Sequence, residues 1–246
     1  MQHRSKKIKK SFFIILVVLI VLSSGSAIYL SNYYHSVDVE KYMNGSSEVS
    51  VEKFDKGWFF DGAGEEKALI FYPGAKVATE AYAPLMYQLA ESGIDCFLVD
   101  MPFHMAFFGM NRAEEIMQEY NYEAWYLGGH SLGGAMAANF AADYVEDHTD
   151  GIRGLLLLAA YPTKDLSTSD MSVVTVYGSE DGVLNMDKIV AGRELMPQDY
   201  KEVCIEGGNH AQFGSYGAQK GDGTATIPAE EQWARTVEVF VGDESE

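Results

Sequence analysis

The chain has little proline, little cysteine and few positive charges outside its first ten residues. Six prolines in 246 residues, 47% of them hydrophobic, fit a single domain with a sizeable core. The two cysteines, Cys96 and Cys204, lie in apolar runs that read as separate strands. Two buried free thiols are therefore expected rather than a disulfide. No CxxC or clustered Cys/His spacing points to a metal site, and no cofactor is expected. Basic residues number 18 against 36 acidic ones. Five of the 18 fall within residues 1–10, which hold no acid, so the remaining body carries 13 against 36, a net −23. A body this acidic repels nucleic acid and anionic lipid head groups, and neither is expected as its partner. The chain shows no internal repeat and no low-complexity segment.

The basic N-terminus (Arg4, Lys6, Lys7, Lys9, Lys10) precedes eleven unbroken apolar residues, Phe12 to Leu22. Small residues follow at Ser23-Ser24-Gly25-Ser26. This order matches a secretory signal. The stretch from Ser11 to Leu30, about 30 Å as a helix, is also just long enough to span a bilayer. Residues 1–30 are thus either a single-pass signal anchor or a cleaved signal peptide. In both cases the positive-inside rule places the body outside the cytoplasmic membrane, anchored or secreted. Residues 31–46 read as a polar tether, and residues 47–246 as the folded domain.

Within that domain, Glu48-Val49-Ser50-Val51-Glu52 alternates with period two, and Gly57-Trp58-Phe59-Phe60 is apolar. The pair predicts one or two antiparallel edge strands. Next come apolar strands at 68–72, 96–99, 124–127, 154–159, 172–177 and 202–205. Helical patterns separate several of them, at 78–91, 112–120 and 135–142, and one at 230–241 closes the series. Continuous apolar strands alternating with helices predict an α/β fold with a mostly parallel sheet covered by helices on both faces. Only about a dozen residues separate the 154–159 strand from the next, which leaves no room there for a large cap domain.

The domain is organised around Gly128-Gly129-His130-Ser131-Leu132-Gly133-Gly134. Strand, G-x-S-x-G, helix is the pattern of a nucleophile elbow. Gly129 and Gly133 sit two residues either side of Ser131, where a Cβ would collide as strand and helix fold sharply together. The helix beginning after Ser131 turns free N–H groups and a partial positive charge towards any oxyanion formed there. A serine nucleophile needs an imidazole base, and the base needs a carboxylate to orient it. Downstream, Gly178-Ser179-Glu180-Asp181-Gly182 and Gly207-Gly208-Asn209-His210-Ala211 leave successive strands. Asp181 and His210 thus fall at carboxyl ends of strands, where such sheets build their sites. Glu180 and, more remotely, Asp165 compete with Asp181 for the acid. His130 is read as packing against or orienting its neighbours, and His3, His35 and His148 as solvated. The loop after the first parallel strand, Pro73-Gly74-Ala75-Lys76, is the place for a second oxyanion donor. Ala75 is taken as that donor beside the N–H of Leu132. Lys76 is either a solvated charge or a contact for an anionic substrate. The apolar stretch 101–110 either packs on the core or roofs a substrate pocket with Phe103, His104 and Phe107.

Together, Gly129-His130-Ser131-Leu132-Gly133, Gly178-Ser179-Glu180-Asp181-Gly182 and Gly208-Asn209-His210 resemble the α/β-hydrolase superfamily over residues 47 to about 245. The match is closest to small, capless bacterial members related to the dienelactone-hydrolase group. Ser131 stands where dienelactone hydrolases proper carry cysteine. The resemblance implies the α/β-hydrolase fold and a Ser-His-Asp triad acting on a small or accessible acyl substrate. It leaves open an acyltransferase on a cell-envelope polymer, a tethered binding protein without turnover, and any oligomeric state.

Overall fold

The computed structural model describes residues 15–18, 20, 25, 31–148 and 151–243. It divides into two units, 1–33 and 34–246. In the first, residues 15–18, 20, 25 and 31 are helical. The basic residues 1–10 and much of the Phe12–Leu22 run, read as anchor or signal, lie outside the described residues. Among the described residues no helix is long and apolar enough to cross a membrane.

The second unit is built on one eight-stranded sheet with spatial order β1-β2-β4-β3-β5-β6-β7-β8. The strands are β1 (Ser50–Phe54), β2 (Gly57–Asp61), β3 (Lys67–Tyr72), β4 (Asp95–Val99), β5 (Ala124–His130), β6 (Ile152–Leu158), β7 (Ser172–Gly178) and β8 (Tyr200–Ile205). The helices are α1 (Glu40–Met43), α2 (Ala83–Glu91), α3 (Arg112–Glu119), α4 (Leu132–Asp147), α5 (Met186–Gly192) and α6 (Ala229–Asp243). β1 and β2 pair antiparallel at one edge, as their alternation predicts, and β3 to β8 are parallel.

Successive residues of a strand point to opposite faces, so an apolar run feeds two cores. Leu69 and Phe71 of β3 join Leu85, Met86, Trp233 and Phe240 of α2 and α6 on one face. Ile70 and Tyr72 join Ile116, Ala138 and Ala141 of α3 and α4 on the other. Leu157, fully buried on that second face, tests this packing. Leu157→Ala is expected to cost about 2–5 kcal/mol through lost transfer energy and a residual cavity, read as a lowered urea midpoint.

Three expectations change. Residues 34–46 are part of the unit: Tyr34 N–H donates to the Lys76 carbonyl, Ala78 N–H to that of Tyr34, and Val37 N–H to that of Ser215. Their polarity hid backbone pairing, which depends on no side-chain type. The helix read from residue 78 starts as a 3-10 turn (Thr79–Tyr82), and α2 proper follows with Pro84 in its first turn, where a missing N–H breaks no helical bond. Cys96 is buried, but Cys204 is exposed. β8 is the sheet's other edge, and Ile205 alone of its residues is buried.

Candidate active site

Ser131 closes β5 and opens α4 with φ 53° and ψ −121°, a left-handed conformation that costs a non-glycine residue about 1–3 kcal/mol. Close packing holds it there. A Cβ on Gly133 would stand 2.1 Å from the Tyr72 carbonyl oxygen, and one on Gly129 would stand 2.6 Å from the Gly133 carbonyl carbon. The first turn of α4 is therefore pressed against the end of β3, and the Ser131 N–H is held by the Leu158 carbonyl at 2.8 Å.

Asp181 and His210 leave the ends of β7 and β8 and meet. His210 Nδ1 lies 2.8 Å from Asp181 Oδ2, and both side chains are 2% exposed. Asp181 Oδ1 accepts the N–H groups of Val183 and Leu184 at 2.9 and 2.8 Å, so each carboxylate oxygen has a set task. A carboxylate only accepts, which puts the His210 proton on Nδ1 and leaves Nε2 as the basic nitrogen. Glu180 turns instead to Ser179 Oγ at 3.2 Å. Asp165 accepts from Ser167 N–H and lines a separate depression.

Ser131 and His210 share the wall of a 270 Å³ cavity with Leu132, Ala135, Ala160 and Leu184, among others. A wider 520 Å³ depression lies elsewhere, lined by Gly64, Glu66, Ser92 and Gly93 among others, with no histidine. Chemistry favours the smaller one. Phe103, His104, Phe107 and Lys76 do not line it. The 101–110 loop divides its residues: Met101 and Ala106 enter the core, while Phe103, Phe107 and Phe108 are more than half exposed. Within it, Phe103 and His104 have left-handed backbone. His104 meets the oxyanion loop through its main chain, accepting the Lys76 N–H at 2.7 Å. Burial pushes its imidazole pKa down.

Around Ala75, the Gly74 N–H goes to Tyr82 Oη, that of Lys76 to His104 and that of Val77 to the Gly74 carbonyl. Leu132, the first residue of α4, has no acceptor for its N–H within the helix. Ala75 and Leu132 therefore remain the two candidate donors to an oxyanion.

One organising residue, Asp222 of Gly221-Asp222-Gly223, had no role assigned from the sequence. Asp222 Oδ1 accepts from the N–H groups of Gly182, His210 and Gly223, and Oδ2 accepts from Ala211. It clamps the Asp181 loop to the His210 loop. Its only signal was an aspartate between two glycines after His210. An amide cannot accept on both sides, so Asp222→Asn is expected to lose about 2 kcal/mol, a fall in Tm of roughly 4–8 °C by calorimetry.

A model described as the alpha/beta hydrolase family matches residues 68–234. No curated protein sequence matches the chain significantly. Several solved structures share its fold. A putative hydrolase from Agrobacterium vitis is 13% identical with TM-score 0.59, covering 79% of this chain and 98% of its own. Carboxyl esterase 2 from Tuber melanosporum is 12% identical with TM-score 0.59, covering 85% and 89%. A monoacylglycerol lipase from Paleococcus ferrophilus is 14% identical with TM-score 0.57, covering 80% and 99%.

Proposed function

Because the chain belongs to the alpha/beta hydrolase family, we propose that it is a serine hydrolase that cleaves carboxylic esters or related acyl compounds through an acyl-enzyme. The observation that carries this reading is the 2.8 Å contact between His210 Nδ1 and Asp181 Oδ2, with Ser131 and His210 on one cavity wall. Ser131 Oγ attacks the carbonyl carbon while His210 Nε2 takes its proton. Asp181 holds the imidazolium that results. The N–H groups of Leu132 and Ala75 receive the tetrahedral oxyanion. The proton on His210 then passes to the leaving alcohol. A water molecule, deprotonated by the same nitrogen, attacks the acyl-enzyme to release the acid and restore Ser131.

The body works outside the cytoplasmic membrane, a reading supported by five basic residues ahead of the Phe12–Leu22 apolar run.

The cavity narrows the substrate. Its 270 Å³ lies below the roughly 300–1,000 Å³ usual for sites of drug-sized ligands. Its lining includes three alanines (Ala135, Ala159, Ala160) and no side chain of an Asp, Glu, Lys or Arg. A short, uncharged group fits. With p-nitrophenyl esters and the full-length protein in detergent, kcat/KM for the butyrate is expected to exceed that for the decanoate by about tenfold or more, since overfilling a packed site costs about 1–3 kcal/mol. A maximum at eight carbons or beyond would overturn the short-chain assignment. Failure to hydrolyse any ester, with no labelling by a fluorophosphonate, would overturn the proposed function.

A further inference from the structure

The reaction scheme leaves one titratable group of the site unused. His130, the last residue of β5, is 1% exposed, and its ring centroid lies 4.4 Å from that of His210. Its Nδ1 is 2.8 Å from Tyr82 Oη, which also lies 3.0 Å from the Gly74 nitrogen. Gly74 belongs to the loop that carries Ala75. The loop packs directly on the pair: a Cβ on Gly74 would be 2.8 Å from both His130 Nδ1 and Tyr82 Oη.

Donor and acceptor roles along this chain follow from giving the buried Tyr82 proton an acceptor. A backbone N–H can only donate, so Tyr82 Oη accepts from Gly74, and His130 Nδ1 is the neighbour able to take the hydroxyl proton. Burial first, then the nearby His210, keeps the His130 imidazole uncharged, and burial likewise keeps the Tyr82 hydroxyl protonated. A neutral ring that accepts at Nδ1 carries its proton on Nε2. That nitrogen is buried and makes no hydrogen bond of normal length, while the His210 main chain lies near enough to favour a proton on the ring. Tyr82 and His210 are the titratable groups that face His130, and Phe213 packs on it at 5.7 Å between centroids.

We infer that His130 is a positioning residue: locked by Tyr82 as the Nε2–H tautomer, it couples the oxyanion loop at Gly74 to the placement of His210. The chain Gly74 N–H to Tyr82 Oη–H to His130 Nδ1 ties the loop to the imidazole, and the Nε2–H side meets His210. A shift of the loop is then felt at the base. This rests on the reading of Ser131 and His210 as nucleophile and base, and adds to it a link between the two halves of the site.

The test uses the full-length protein in detergent micelles with 15N-labelled histidine side chains. The wild type is expected to show His130 as neutral Nε2–H. Tyr82→Phe, which removes one hydroxyl, is expected to move the ring resonances of His210 and to lower kcat about tenfold, the equivalent of about 1.4 kcal/mol, with KM within about twofold. His130→Phe should lose as much, and the double variant should be no worse than either single one, since they break one chain. His130→Asn keeps an acceptor at the position of Nδ1 and should recover at least a third of the wild-type kcat. A purely structural role predicts lowered Tm with His210 resonances and kcat unchanged. That result, or an Nδ1–H tautomer in the wild type, would overturn the inference. If the wild type hydrolyses no ester, the proposed function fails, and the coupling is still decided by the His130 tautomer and the response of His210 to Tyr82→Phe.

Discussion

Replacing Ser131 by alanine is expected to abolish ester turnover, with kcat falling by a factor on the order of 10⁴–10⁶. Fluorophosphonate labelling of the protein should disappear with it. The size of the effect follows from the site's construction. In the proposed mechanism His210 Nε2 and the Leu132 and Ala75 N–H groups all serve one nucleophile, and without Oγ no acyl-enzyme forms. A residue of about 10³–10⁴ over the uncatalysed rate is expected from oxyanion binding and positioning alone. The substitution removes one oxygen from a half-exposed position and leaves the backbone packing of Gly129 and Gly133 intact, so Tm should move little. A variant that retains more than a hundredth of the wild-type kcat would rule out Ser131 as nucleophile.

The second large effect is at Asp181, where the two oxygens have different tasks. Oδ1 holds the N–H groups of Val183 and Leu184, and Oδ2 faces His210 Nδ1. In Asp181→Asn the remaining oxygen is needed by the two backbone donors, so the amide NH₂ turns towards His210. Nδ1 must then accept, and the imidazole proton moves to Nε2, the nitrogen that has to be basic. The tautomer is wrong, and kcat is expected to fall by roughly 10³–10⁴ with little change in KM. Glu180→Gln, which removes a charge whose side chain contacts only Ser179 and keeps an oxygen able to accept from it, should stay within about twofold of the wild type. A fall of less than tenfold in Asp181→Asn, or a larger one in Glu180→Gln, would move the acid to another residue.

Asp181 and Asp222 show why one carboxylate could be read from the sequence and the other could not. Asp181 follows an apolar strand within a glycine-bounded turn, and a strand end on a parallel sheet is where a site residue is expected. Asp222 lies in a long irregular segment, and its value comes from three N–H groups contributed by two other loops, with that of its neighbour Gly223. No local pattern encodes which backbone donors will face a side chain after folding. The pocket wall follows the same rule. Apolarity left Phe103 and Phe107 either to pack on the core or to roof the pocket. The small residues Ala135, Ala159 and Ala160 take that place, while Phe103 and Phe107 are more than half exposed.

What the amino-acid order determined by itself was whatever depends on neighbours in the chain. Period-two and continuous apolar runs set the edge pair and the parallel sheet. The glycines around Ser131 set a turn that no Cβ-bearing residue could fill, and the succession of strand ends set the order Ser131, Asp181, His210. Only the tertiary structure decided the rest: that residues 34–46 join the body, that Cys204 faces outward, that Asp222 clamps two loops, and that Tyr82 assigns the proton of His130. Apart from the exposure of Cys204, each of these depends on groups brought within about 3 Å from separate segments of the chain. Hydrogen bonding has that range and direction, so its partners are chosen only once the sheet and helices have placed them.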